Sequence, residues 1–322
     1  MTDNNQNEED GTLPGEELLQ SRRDSEVESW NAVENAQEEI RQSTAVQLER
    51  HIWKELLATV EVDETEIKEA LDDYESIMDQ WMEDIKTKVP APITDTKSDF
   101  DPLEKIIGDT SPFFPIVPLS PLQSKVDPKK KGGEEEEPSV NVQIGEQRTT
   151  IEAKVFAKGT GGDTPGSGGT HSSDVLIKLY YRMTPPANGI LTVSHYPSLH
   201  GSYTLSPRVG WDTAGRVFLD YTFNAYWGSE EVTSTSKRIV EAKAHNQFKW
   251  VDLIHDRFTN SFPVVKDEPV HIYFGIRMRA AARSNSSWVE LDFLTDTTTQ
   301  EGEIRDQHIS IPRALCTLTP SG

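Results

Sequence analysis

From Gly215 to Trp227 the chain reads GRVFLDYTFNAYW, with Val217, Leu219, Tyr221, Phe223, Ala225 and Trp227 on alternate positions and Arg216, Asp220, Thr222 and Asn224 between them. Successive side chains leave a pleated strand on opposite sides, so a period of two marks a strand with one buried face. The same rhythm recurs at Val270, Ile272, Phe274, Ile276 and Met278, which alternate with His271, Tyr273, Arg277 and Arg279. It returns at Val289, Leu291 and Phe293. Shorter alternating or apolar runs fall at 140–144, 151–157, 174–183, 189–197, 237–245, 248–254 and 306–312. Residues 139–322 carry no helical pattern longer than two turns. That density of strands predicts an antiparallel β-sandwich. Its long connecting loops fit a jelly roll better than an up-and-down barrel.

Charge divides the chain unevenly. Residues 1–138 hold 35 Asp+Glu and 14 Lys+Arg, whereas residues 139–322 hold 19 and 18. Nucleic acid is held through its phosphates by Lys and Arg, so no direct nucleic-acid contact is expected from the acidic half. Its acidity reads as a solvated helical surface. Residues 1–15 are expected to be a disordered tail. From Glu16 to Thr59 there is no Gly or Pro, and Val27, Trp30, Val33, Ile40, Leu48, Ile52 and Leu56 recur at an interrupted helical spacing. Asp63 and Glu66 then make a capping box. Beyond it Ile67, Leu71, Tyr74, Met78, Trp81 and Ile85 stand alternately four and three apart, a heptad seam. They are the candidate helix interface, packing within the chain or on another chain. Residues 16–88 are thus expected to form a helical hairpin or coiled coil, separate from the sandwich.

Residues 89–138 read as a linker. A short helix is expected at DPLEKIIG, from its cap, its Pro and its closing Gly. In SPFFPIVPLSPL, prolines punctuate Phe113, Phe114, Ile116, Val117 and Leu119. Prolines deny a regular ladder, and each large apolar side chain left in water would cost about 1.5–3 kcal/mol. The arm is therefore expected to lie along a protein surface, its own or a neighbour's, with Phe113, Phe114, Ile116 and Val117 as the contacts. KKKGGEEEE reads as a flexible joint, with the sandwich domain, 139–322, beyond it.

Chemistry is sparse. His195 and His200 are spaced to share a metal from a loop, but no Cys or adjacent carboxylate completes a ligand set. His255-Asp256 looks like a dyad fragment without a nucleophile elbow. Glu290 and Asp292 share a strand face about 7 Å apart, and a solvated face explains them more simply than a glycosidase pair. The Gly-rich GTGGDTPGSGG lacks the Lys-Ser/Thr of a phosphate cradle. No catalytic residue, cofactor or metal is assigned, and a non-enzymatic role is expected. Tyr203 and Trp211 fall in what reads as a loop, and with His200 they make a candidate ligand loop. Aromatic rings there would stack on sugars, anchor a protein, or plug the open end of the sandwich. Cys316, the one cysteine, favours a reducing compartment. The N-terminus has no signal-peptide pattern, and no apolar run approaches the roughly 20 residues of a membrane span.

The run from Leu179 to Trp227 resembles the middle of the jelly-roll coat (capsid) proteins of picorna-like RNA viruses. The residues that carry the likeness are Asn188-Gly189-Ile190-Leu191-Thr192-Val193-Ser194-His195-Tyr196-Pro197, then Trp211-Asp212 and the strand from Val217, with PVHIYFGIRMRA like a final core strand. It covers about residues 179–290. The acidic helical half and the lack of a basic arm depart from that family. The resemblance implies a self-assembling structural protein of the virion or host cytoplasm, with related coat subunits or copies of itself as partners. The alternative is a β-sandwich module that binds a glycan or protein ligand and is multimerised through its helical region.

Overall fold

The computed structural model describes residues 13–41, 116–131, 137–159, 170–206, 215–243, 247–283, 288–295, 297–298 and 304–321. One helix, α1 (Glu16–Arg41), precedes β1 (Ile116–Leu119), β2 (Gln123–Lys131), β3 (Ser139–Ile144), β4 (Arg148–Lys158), β5 (Thr170–Met183), β6 (Gly189–His195), β7 (Ser198–Ser206) and β8 (Gly215–Trp227). There follow β9 (Glu230–Lys243), β10 (Gln247–Leu253), β11 (Phe258–Val264), β12 (Val270–Arg283), β13 (Trp288–Phe293), β14 (Thr297–Thr298), β15 (Ile304–Arg305), β16 (His308–Pro312) and β17 (Ala314–Pro320). Every strand pairing among them is antiparallel.

One wall is a five-stranded sheet in the order β2-β5-β12-β8-β9. The other is made of a four-stranded sheet, β1-β17-β6-β11, and a six-stranded sheet, β10-β7-β13-β4-β16 with β3 beside β4. These two are continuous with each other. β6 runs into β7, β10 into β11 and β16 into β17 across short bends, so three neighbouring strands each pass from one sheet to the other. At the bend residues 254–257 stand opposite 196–198, and 311–314 stand opposite 195–197. One extra residue on each outer strand makes a bulge, which turns the strand and re-aims its side chains. His255, with φ 51°, takes up the strain. Ser198 Oγ accepts from the His255 amide at 3.0 Å, and the Asp256 amide donates to Pro197 O at 2.9 Å, stapling the bend.

The core fills the space between the walls with the alternating residues that the sequence singled out. Val217, Leu219, Tyr221, Phe223 and Ala225 face Ile151, Val155, Val193, Val289, Leu291 and Phe293, all fully buried in one cluster. Ile272, Phe274, Ile276 and Met278 run up the centre on β12.

The β-sandwich is thus present, and its borders differ from those expected. Residues 116–131, placed in the linker, form β1 and β2, the edge strands beside β17 and β5. Of the arm contacts, Ile116 and Val117 lie in β1, on the protein's own sandwich, opposite Thr317 and Cys316. Phe113, Phe114 and the DPLEKIIG helix lie outside the described residues. α1 forms as expected but does not belong to a separate helical domain, because it lies against the five-stranded sheet through Leu19, Arg23 and Trp30. The second helix of the hairpin, with Ile67, Leu71, Tyr74, Met78, Trp81 and Ile85, lies outside the described residues. No described helix is long and apolar enough to cross a membrane.

His195 illustrates how completely the core excludes water. Its ring stacks on Phe274 at 4.2 Å with 12° between planes, and neither nitrogen has a hydrogen-bond partner among the described residues. Burial holds its pKa down to about 3, from an ordinary 6.5. Between those values the unfolded chain binds a proton that the folded chain refuses, so stability is complete above about pH 6.5 and is lost as pH falls toward 3. His195→Phe should lower the pH dependence of unfolding over that window by about one proton. Urea melts at a series of pH values measure it, and an unchanged slope would assign the acid sensitivity to other groups.

Candidate functional site

The outer face of the six-stranded sheet gathers aromatic and polar side chains in register. One row across four strands reads Phe248, Thr204, Glu290, Phe156, and the next reads Trp250, Ser202, Asp292, Lys154. Trp288 stands one row further, between Ser206 and Lys158. The rings form two pairs at opposite margins. Phe248 and Trp250 meet edge to face at 5.2 Å on β10, and Phe156 and Trp288 lie 6.2 Å apart across β4 and β13. All four rings are half-buried. The floor between them is Ser202, Thr204 and Ser206, small side chains that are buried.

Alternation places these residues. On β10, Val251 points inward, so Phe248, Trp250 and Asp252 must point out. On β7, Leu199, Tyr203 and Leu205 point inward, and His200, Ser202 and Thr204 point out. This corrects one expectation. Tyr203 is not on a ligand loop but 6% exposed in the core. Residues 198–206, which read as loop from their Gly and Ser content, are strand β7, because the outward positions of a strand tolerate Ser, Thr and Gly. Trp211 lies outside the described residues. Of the candidate ligand residues that are described, His200 is on this face and Tyr203 is not.

Electrostatics ties the lower row together. Lys154 Nζ lies 2.9 Å from Glu290 and 3.5 Å from Asp292. Burial alone would pull Lys154 down, but its two carboxylates outweigh it and hold the ammonium above the usual lysine range. Asp292 Oδ1 also accepts the amides of Leu294 and Thr295 at 2.8 and 3.0 Å. Further along the face, His200 Nδ1 is 2.9 Å from Asp252 Oδ1, and the His200 and His308 rings are 5.3 Å apart. His195 faces the core instead, so the two histidines of HYPSLH cannot share a metal. Among the described residues no group of three or more His, Cys, Asp or Glu is placed to hold one. His255 and Asp256 belong to the bend. Asp256 pairs with Lys237 at 3.0 Å, and the Ser198 hydroxyl takes the His255 backbone amide.

What this arrangement can do is hold a ligand that offers both flat apolar faces and many hydroxyls. The half-buried rings supply stacking surface, and the partly exposed Lys154 and His200 supply hydrogen-bonding groups, over a buried floor of Ser202, Thr204, Glu290 and Asp292. The pairing of Lys154 with two carboxylates was not legible, because cross-strand partners depend on register. The aromatic margin was partly legible, since Trp250 and Trp288 stood out as residues.

A family-model scan and a search of curated proteins each find no match to the chain. Among solved structures, TmCBM61 in complex with β-1,4-galactotriose is 11% identical, covering 54% of this chain and 86% of its own, with a TM-score of 0.21. The CBM22-1 xylan-binding domain from Paenibacillus barcinonensis Xyn10C is 11% identical over 61% of this chain and 87% of its own, at 0.18. The mannan-recognising carbohydrate-binding module TmCBM27 is 12% identical over 63% and 98%, at 0.20. TM-scores this low carry no argument for this chain.

Lys154→Met would leave Glu290 and Asp292 side by side without their cation. A loss of about 1–3 kcal/mol at neutral pH is expected, shrinking as the pH rises above 10.5 and through the raised pKa of the folded-state ammonium. Thermal melts of both proteins across that range measure it. A loss that stays constant with pH would mean that packing, not charge, is what Lys154 supplies.

Proposed function

We propose that this chain is a non-enzymatic β-sandwich binding module, that its ligand face is the outer face of the six-stranded sheet, and that the ligand is a glycan. The observation that carries this is the placement of two aromatic pairs at the margins of a hydroxyl- and carboxylate-lined strip. Phe248 and Phe156 share one row and are three strand spacings apart, about 14 Å. That width suits a short oligosaccharide lying across the strands, with rings at its ends and the buried Thr204 and Glu290 forming the floor of the strip. Glu290 and Asp292 both lean on one lysine. Both are engaged with that lysine and nearly buried, at 8% and 4% exposure, which supports a structural role for the pair over hydrolysis. The coat-protein reading rests on the sandwich alone, and the arm residues Ile116 and Val117 are engaged in β1 rather than left to cross to a neighbour.

A glycan array followed by calorimetry tests the proposal. Trp250→Ala and Trp288→Ala should each weaken binding by about tenfold or more, since aromatic anchors carry a disproportionate share of binding energy. Circular dichroism should show the sandwich intact. Absence of glycan binding by the unmodified protein, or binding indifferent to both changes, would refute the assignment.

A further inference from the structure

α1 holds the outer face of the five-stranded sheet with few apolar contacts. Among the described residues its buried side chains are Leu19 and Arg23. Leu19 sits among Tyr180, Tyr226 and Tyr273 at one end. At the other, Trp30 meets Phe218 edge-on at 5.1 Å, with the Arg277 guanidinium carbon 3.8 Å from its ring centre. The remaining attachments are charged. Arg23 pairs with Asp174 in the middle. Around the rim Glu16 pairs with Lys125, Arg22 with Glu231, Asp24 with Lys129 at 3.0 Å, and Glu26 with Arg277 at 2.6 Å. Arg22, Asp24 and Lys125 are exposed, so added salt screens their pairs.

Docking also keeps charges of the sheet itself out of water. On the face that α1 covers, Asp174, Lys178 and Arg277 are 1%, 4% and 5% exposed. Lys178 Nζ and Arg277 Nη2 have no hydrogen-bond partner among the described residues. Burial draws both cations below their ordinary range. Desolvation of this kind offsets much of what an ion pair returns. The inside of the sandwich is held differently, by fully buried apolar side chains such as Leu219, Phe223, Phe274 and Phe293. Lifting α1 thus returns charges to water and uncovers little apolar surface, whereas opening the sandwich exposes the whole core.

We infer that α1 is a strap that opens as a unit while the sandwich stays folded, uncovering Tyr180, Tyr226, Tyr273, Phe218 and Arg277. Elements held by few apolar contacts open at lower free energy than the core they cover. The strap is seated at its start by one glycine. Gly15 has φ 77°, and a Cβ there would meet the Tyr226 ring at 2.7 Å. Glycine alone combines that turn with so close an approach to the ring. The turn is fixed on both sides, by the Glu16 amide donating to Leu13 O at 3.0 Å and by Tyr273 Oη donating to Pro14 O at 2.8 Å. Any side chain at Gly15 lifts the helix from the sheet without touching the core.

Native-state hydrogen exchange on the full chain, in urea too dilute to unfold it, tests the strap. Amides of residues 20–30 should exchange about tenfold or more faster than those of β5 and β12. Their opening should depend little on urea, since it exposes little surface, and should quicken with salt. Two variants separate lifting of the helix from fraying within it. Lys178→Met removes a buried charge that lacks a hydrogen-bond partner, and should slow exchange in α1 about tenfold. Gly15→Ala should speed it about tenfold, with β12 amides unchanged in both. The inference is overturned if α1 and β12 amides share one rate and one urea dependence. Exchange in α1 that is indifferent to both variants overturns it as well, because the opening would then lie within the helix and not at its seat.

Discussion

Three strands of this protein, β5, β12 and β8, are denied water on both faces, and much of the structure follows from that constraint. Inward they meet the bent opposite wall, and their alternate Val, Leu, Ile, Phe and Tyr residues supply the core. Outward they carry Asp174, Lys178, Arg277, Arg279 and Asp220, all buried. A buried charge without a partner is far more costly than a buried methyl group, so this face needs a partner that is itself charged. α1 supplies Arg23 for Asp174 and Glu26 for Arg277, and lays Trp30 beneath two guanidinium groups. The helix is thereby tied to the sandwich by electrostatic complementarity rather than by a broad apolar stripe.

The opposite wall solves a different problem. A single flat sheet could not face the five-stranded sheet along its whole length, so three strands bend together. Two of them carry an extra residue at the bend, and the change of face there lets both halves present apolar residues inward. β10 then turns Phe248 and Trp250 outward, β4 turns Phe156 and Lys154 outward, and β13 turns Trp288, Glu290 and Asp292 outward. The same pleat that fills the core therefore lays out the aromatic margins and the polar strip.

Strand identity was largely legible because a half-buried strand writes its environment into the sequence. Val217 to Trp227 and Val270 to Met278 are unambiguous for that reason. β1, β2 and β11 were not, since IVPL and SFPV contain proline, and QSKVDPKKK is an edge strand with little to bury. Edge strands need no apolar period, and proline is tolerated where its missing amide faces away from the ladder. Tyr203 was misplaced because its neighbours Gly201 and Ser202 look like loop residues, although Leu199 and Leu205 keep the period of two.

By itself the sequence determined that residues from 139 onward make an antiparallel sandwich, that the first half is acidic, and that a long helix begins at Glu16. These properties are local: each depends on the spacing or the charge of nearby residues. Only the tertiary structure decided that α1 lies on the five-stranded sheet, that β2 edges that sheet and β1 edges the four-stranded one, and that Lys154 joins Glu290 and Asp292. It alone set Phe248 in line with Phe156. Those facts depend on which strands become neighbours and in what register, and register is a property of distant segments meeting, which no single stretch of chain records.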